Sequence, residues 1–384
     1  MDNSLVKFTL FLWTLPWLAA FAQTPVPAPP ALNATSYILV DFSSGKELVS
    51  QDADATVEPA SITKLMTAYV VFHELAAGNL KLTDMVTVSE NAWRTGGSRM
   101  FIEVNTQVSI EDLLKGMIIQ SGNDASVALA EHIAGSEATF AGLMNHYAQQ
   151  LGMKSSHFEN ATGLPGENHI VSARDIALLA AAIIREFPEL YEWYSEKEFT
   201  YNEIRQHNRN TLLWHDPAVD GIKTGHTDSA GYCLASSAIK GGMRLISVVM
   251  GADSEKQRAD DSQKLLNYGF RFFETHQLYT ANEQLDTVKV WKGETDQLPL
   301  GLAESLFVTI PRGQYAQLDA AIRLPGTLTA PIIQNAVIGE VRVTLDGDDI
   351  ATRPLIALAG IPEGGFWSRL SDSISLWFES DDEG

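Results

Sequence analysis

The sequence predicts an α/β (α+β) domain with an antiparallel sheet covered by helices, followed by a small all-β domain. Strand-like segments lie at both ends of the first domain, YILVD and KELVSQ early and three more from 219 to 250, with helical periodicity between them. A sheet assembled from both ends and covered by the intervening helices is the economical arrangement. Beyond about residue 280 the texture changes to short alternating strands split by Gly, Pro and Asp-Gly turns, which is the signature of an all-β unit.

In chain order, residues 1–22 read as an export signal. Lys7 precedes FTLFLWTLPWLAAFA, and Ala20-Phe21-Ala22 offers a small-x-small cleavage site before Gln23. The apolar run contains Pro16 and falls short of the roughly 20 residues of a spanning helix, which counts against a retained anchor. TPVPAPPALNATS predicts an extended, mobile lead. YILVD and KELVSQ flank FSSG as a hairpin. Residues 60–77 read as a helix with Ser61 in its first turn and Gly78-Asn79 as its stop. Further helices are expected at 109–119, 123–134, 137–151 and 172–186, the last opening on the capping sequence SARD. VDGIKTG, GYCLASSAI and MRLISVVMG predict neighbouring antiparallel strands, and 255–274 another helix.

The terminal GGFWSRLSDSISLWFESDDEG places apolar residues at 366, 367, 370, 374, 377 and 378, one face of a helix. Its aromatics suit a membrane interface, and packing on its own domain fits these residues equally. Arg369 is its single basic residue, which weakens attraction to anionic lipid.

A length of 384 residues favours two domains. The net charge of −21, from 27 basic and 48 acidic residues, argues against a nucleic-acid partner. Cys233 is the only cysteine, so an exported chain has no internal disulfide and relies on its core. Within GYCLASSAI it reads as a small buried hydrophobe. No metal is implied, because no Cys or His run has ligand spacing, and there is no nucleotide-binding glycine loop.

The candidate chemistry begins at EPASITKLMTAYV. In a helix Ser61 and Lys64 share a face, and unpaired N–H groups at a helix start suit an oxyanion. On spacing alone the simpler reading is a capping serine and a solvated lysine. A second Ser-x-x-Lys, Ser237 to Lys240, lies in a strand, where positions three apart face opposite ways. A serine nucleophile needs a base, and a lysine base needs its pKa lowered by burial or by another cation. Lys223 in VDGIKTGHT supplies a cation, followed by the hydroxyl of Thr224 and by Gly225, which permits close approach. Ser121 and Asn123 in IIQSGNDAS offer a proton relay, although the same residues make a good helix cap and Ser89 to Asn91 repeats their spacing.

SITK, SGN and KTG in that order match the catalytic set of penicillin-recognising serine enzymes. The chain resembles the low-molecular-weight penicillin-binding proteins that act as D-alanyl-D-alanine carboxypeptidases, the penicillin-binding protein 5/6 type of serine peptidase family S11. The resemblance runs through EPASITKLMTAYVVF, GMIIQSGNDASVALAEHIAGSE, HFENATGLPGENH, HNRNTLLW, VDGIKTGHTDSAGYCLASSA, MRLISVVMGA, LLNYGFRFFET and the GGFW helix. It implies a transpeptidase-like, β-lactamase-like domain with helices on both faces of the sheet and a helical subdomain. The implied division is a signal at 1–22, a catalytic domain at 23–279, an all-β domain at 280–362 and an amphipathic anchor helix at 363–384.

By the same resemblance Ser61 would attack the carbonyl between two D-alanines of a peptidoglycan stem peptide. Lys64 would take its proton, and Ser121 would relay a proton to the leaving D-alanine. Asn123 would hold the peptide, and Lys223 would hold Lys64 deprotonated and steer the substrate carboxylate, which Thr224 would bind. The N–H groups of Ser61 and His226 would form the oxyanion hole beside Gly225. Arg209 and Arg258 match arginines near the substrate's terminal carboxylate. No cofactor is implied. β-Lactams would acylate Ser61 and leave slowly, and the protein would sit in the periplasm on the outer face of the inner membrane. The chain departs from the pattern in having Thr162 before Gly163, where some members have histidine, and in its more acidic terminal helix. The alternatives are a serine β-lactamase using a loop glutamate such as Glu159 or Glu167, a D,D-endopeptidase, and a non-catalytic cell-wall-binding module.

Overall fold

A computed structural model describes residues 26–367 and 369–373; the expected signal at 1–22 and the last part of the expected anchor lie outside them. The first domain is built on a five-stranded antiparallel sheet in the order Glu47–Gln51, Ser36–Asp41, Met243–Ala252, Gly231–Lys240, Val219–Thr227. The two ends of the domain meet in its centre, with Ser36 opposite Met250 and Asp41 opposite Leu245. Alternation along the strands sends Ile38, Ile246, Val248 and Met250 to one face, and Tyr37, Leu39, Leu245 and Val249 to the other.

The first face carries the helical part of the domain. The helix Lys64–Ala76 is apolar nearly all round and is buried over Lys64–Phe72, as a core helix must be. Ile110–Ile119, Asn123–Ala134, Glu137–Gln150 and Ala173–Glu186 contribute to the same core. The second face is covered by Glu255–Phe272. Helix starts follow the expected chemistry: Ser109, Ser136, Ser172 and Ser254 each accept a backbone N–H three residues on. Cys233 is buried between the strands and burial pushes its thiol up to about 11, which fits a packing role.

Three expectations change. The proline-rich lead is extended but docked: Val26, Leu32 and Ala34 pack on the second core, and Tyr268 Oη donates to the carbonyl of Pro27 at 2.9 Å. Residues 60–63 form a 3-10 turn, so the α-helix starts at Lys64 rather than before Ser61. The helix expected to reach 274 stops at Phe272, and Phe273–Tyr279 is a strand that pairs with Leu306–Pro311 in the following unit.

That unit has a six-stranded sheet, Leu318–Arg323, Val337–Leu345, Asp348–Ala357, Gln297–Gly301, Asp286–Trp291 and Leu328–Thr329, around its own apolar core. Polar bonds tie it to the first domain: Thr275 Oγ1 donates to Asp41 Oδ2 at 2.7 Å, and Lys46 Nζ donates to the carbonyl of Thr309 at 2.9 Å.

Candidate active site

Ser61 sits in the turn Ala60–Thr63, which no side chain caps; the following helix has no side-chain cap either. Its hydroxyl therefore serves no capping role, and the simpler reading of SITK fails. The turn is held open by Ala60, whose φ of 46° lies in the left-handed region. Lys64 is 1% exposed. Its Nζ lies 3.0 Å from Ser61 Oγ, and it donates to Asn123 Oδ1 at 2.6 Å and to the carbonyl of Thr162 at 2.5 Å. A neutral amine has two N–H groups and one lone pair. The two oxygens take the N–H groups, which leaves the lone pair for Ser61 O–H. Burial first, and the charge of Arg209 second, bring the Lys64 pKa down from 10.5 to about 7.

Asn123 opens the helix Asn123–Ala134, and its Nδ2 donates to the carbonyl of Gly96 at 2.7 Å. Gly97 leaves room for that amide, since a Cβ there would come within 2.6 Å of Asn123 Nδ2. Ser121, just before this helix, has φ 68°, a strain of about 1–3 kcal/mol for a non-glycine residue. Its buried Oγ has no hydrogen-bond partner among the described residues and lines the cleft with Ser61.

KTG lies on the edge strand Val219–Thr227, which packs against the Ser61 turn. Gly225 is required there. A Cβ would stand 3.1 Å from the carbonyl of Pro59 and from Ile62. Lys223 is buried, and its Nζ donates to the carbonyl of Thr224 at 3.2 Å. Burial pushes its pKa well down, followed by the charges of Lys64, Arg209 and Arg258. Two buried amines in one site do not both stay protonated. Arg209 is a further cation acting on Lys64, beside the neighbouring amine of Lys223.

Thr224, Gly225, His226, Arg209 and Arg258 line the same cleft, of about 460 Å3, as Ser61 and Ser121. Arg258 is not a surface ion pair. It is 5% exposed, donates to the carbonyl of Gly225 at 3.1 Å, and pairs with Glu255 at 3.0 Å. The decoys fall away: Lys240 is exposed and pairs with Asp216, and Ser89 caps the short helix Glu90–Arg94.

One family profile, Peptidase S11, D-alanyl-D-alanine carboxypeptidase, matches residues 23–254, and a second, the penicillin-binding protein 5 C-terminal domain, matches residues 273–363. The chain belongs to the S11 D-alanyl-D-alanine carboxypeptidases. It is similar to D-alanyl-D-alanine carboxypeptidase DacA of Escherichia coli, with 47% identity over 364 residues covering 93% of this chain and 90% of the relative. The fold of this carboxypeptidase is similar to that of penicillin-binding protein 5 from Haemophilus influenzae, at a TM-score of 0.85 and 45% identity over 88% of this chain and 100% of that one. It is also similar to penicillin-binding protein D2 from Listeria monocytogenes in its ampicillin-bound form, at a TM-score of 0.58 and 31% identity over 62% of this chain and 98% of that one.

Several residues of this serine peptidase's site escaped the sequence reading. Asp124 accepts the N–H groups of Met100, Phe101 and Ile102 and so fixes the loop that carries Gly97 and Ser98 to the cleft. Glu137 accepts the N–H of Ala161 at 3.0 Å, and Thr67 donates to the carbonyl of Ala161 at 2.7 Å. Asn160 and His169 hold the next turn of the same loop. These residues stand inside SITKLMT, AGSE, SGND and ENATGLPGENH, but what they do depends on segments far away in sequence. The departure at Thr162 is met by its backbone, because the group used is its carbonyl. The Glu159 carboxylate accepts the N–H of Asn168 at 3.2 Å within its own loop, and neither Glu159 nor Glu167 lines the cleft.

Proposed function

We propose that this carboxypeptidase removes the terminal D-alanine from peptidoglycan pentapeptides through an acyl-enzyme on Ser61. Ser61 Oγ attacks the carbonyl between the two D-alanines while its proton passes to Lys64 Nζ. The N–H groups of Ser61 and His226 receive the oxyanion. As the C–N bond breaks, Ser121 Oγ hands a proton to the departing amine and recovers one from Lys64. Thr224, Arg209 and Arg258 read the free carboxylate, with Lys223 beside them. Asn123 holds Lys64, and its remaining amide N–H is available to the peptide. Water then cleaves the ester. A β-lactam opens on the same serine, but its leaving group stays tethered, so the ester persists. The observation that carries the proposal is the Lys64 amine, 3.0 Å from Ser61 Oγ with its N–H groups taken by Asn123 and Thr162.

Purified protein should release D-alanine from a pentapeptide ending in D-Ala-D-Ala and become covalently labelled by a fluorescent penicillin. Ser61→Ala should lose both properties; a labelled, active Ser61→Ala protein would overturn the mechanism. Penicillin turnover faster than peptide hydrolysis would point to a β-lactamase.

The proposed location is the periplasm, after removal of residues 1–22, with the terminal helix lying on the inner membrane. No described helix is long and apolar enough to cross a membrane. Residues 366, 367 and 369–373 are helical, and Phe366, Trp367 and Leu370 are exposed, which supports an interfacial role. Deleting residues 364–384 should move the protein from the membrane to the soluble fraction; an unchanged distribution would refute the anchor. The strand pairing of Phe273–Tyr279 favours a domain division near 272 over the expected 279.

A further inference from the structure

We propose that Asn160 and His169 are positioning residues for the reaction, aiming the carbonyl of Thr162 at Lys64 and fastening that loop to the turn of Ser61. The proposal rests on the reading of Lys64 as the base. Asn160 Oδ1 accepts from Thr162 N at 3.1 Å, Thr162 Oγ1 at 2.9 Å and Gly163 N at 2.8 Å. Three donors on one oxygen fold residues 160–163 into a tight turn, and the carbonyl this leaves facing inward is the one on Lys64 Nζ. Asn160 Nδ2 donates to the carbonyl of Leu164 at 2.9 Å and to His169 Nδ1 at 3.0 Å. With both sides of the amide committed, its orientation is unambiguous.

His169 is 1% exposed and carries the other half of the device. Its Nδ1 takes the Asn160 N–H, so the ring proton is on Nε2, which donates to Thr63 Oγ1 at 2.9 Å. Thr63 belongs to the same four-residue turn as Ser61. One ring thus joins the nucleophile's turn to the loop that holds the base. Neither residue touches Ser61 Oγ or Lys64 Nζ through a bond found in the structure, so both act through others.

The consequence is on the protonation of Lys64. The charged and titratable groups that bear on Lys64 are Arg209, Asp124, Glu137, Lys223 and His169. Burial keeps His169 neutral above about 4, so replacing it changes no charge beside Lys64 near neutral pH. Replacing Asn160 changes none at any pH. Burial is the largest cause of the low Lys64 pKa, and a loosened loop admits water to the amine. The pKa then climbs toward the ordinary lysine range and the base is lost at neutral pH.

The test is the pH dependence of Ser61 acylation by a fluorescent penicillin, with the melting temperature as a control, in the full chain and in Asn160→Ala, His169→Leu and His169→Gln. The unchanged protein should show an acid limb near pH 7. Asn160→Ala and His169→Leu should move the limb up by about one pH unit or more, a loss of about tenfold in rate below it. His169→Gln, whose amide supplies an acceptor and a donor, should keep the limb in place. If Asn160→Ala does not fold, the two His169 variants decide. Limbs that stay put in the variants while rate or melting temperature falls would overturn the proposal, as would a His169→Gln limb displaced as far as that of His169→Leu. A rate flat through pH 7 in the unchanged protein would refute Lys64 as the base and this proposal with it. A normal limb there, with unmoved variants, refutes the positioning role alone.

Discussion

Replacing Lys64 with methionine should slow acylation of Ser61 by about 10²–10⁴-fold, the usual worth of a positioned general base, while the protein stays folded. The lost function follows from geometry: Ser61 Oγ has its nearest basic nitrogen 3.0 Å away, and methionine offers none. The retained fold follows from electrostatics. A lysine held at about pKa 7 against an ordinary 10.5 binds fewer protons in the folded chain than in the unfolded one across that window. Its term in stability is therefore unfavourable, full below about 7, and shrinks as the pH rises from there toward 10.5. Methionine removes that term, fills similar volume, and leaves Asn123 Oδ1 and the carbonyl of Thr162 one donor short. We expect the melting temperature to change little and the rate to collapse. The measurements are thermal unfolding near pH 6 and penicillin acylation near pH 8. A Lys64→Met protein that acylates within tenfold of the unchanged one would remove lysine from the mechanism.

Gly163→Ala should cost at least about 3 kcal/mol of stability, on the order of 10 °C in melting temperature, and abolish acylation as well. A Cβ at 163 would fall 1.8 Å from the carbonyl oxygen of Ala60 and 2.8 Å from Thr63 Oγ1. The first obstacle is backbone, which cannot swing aside as a flexible side chain can. The φ of 82° adds strain for any residue with a Cβ. Ala60 itself has a positive φ and precedes Ser61, so any displacement there moves the nucleophile. Gly142→Ala is the control. Gly142 lies in the helix Glu137–Gln150 with nothing within 4 Å of a new Cβ, so alanine should add up to about 1 kcal/mol. Equal effects of the two substitutions on unfolding would show that the close approach of Gly163 to Ala60 is not what matters there.

The architecture was largely legible because periodicity reports which face of an element is buried. The helices at 110–119 and 123–134 and the three strands from 219 to 252 lie where alternation and capping residues place them. Misplacements came at boundaries. At Ser61 a 3-10 turn replaces the first helical turn, and at Phe273 the chain leaves a helix for a strand whose partner is at 306–311. No local signal reports a partner more than 30 residues away. The docked lead at 26–34 escaped for the same reason: its proline content predicts extension correctly, while its anchor is the hydroxyl of Tyr268.

The sequence alone named the candidates for reaction. Ser61, Lys64, Ser121, Lys223 and Thr224 stand in three short motifs whose order resembles that of penicillin-recognising serine enzymes, and the chemistry agrees, since a serine nucleophile needs a base and that base needs a reason to be neutral. Only the tertiary structure decided what state they are in. The amine of Lys64 is neutralised by burial and by Arg209, and oriented by Asn123 and Thr162, which lie 59 and 98 residues from it. Solvation and field are properties of the space around a group, and the chain must fold before that space exists.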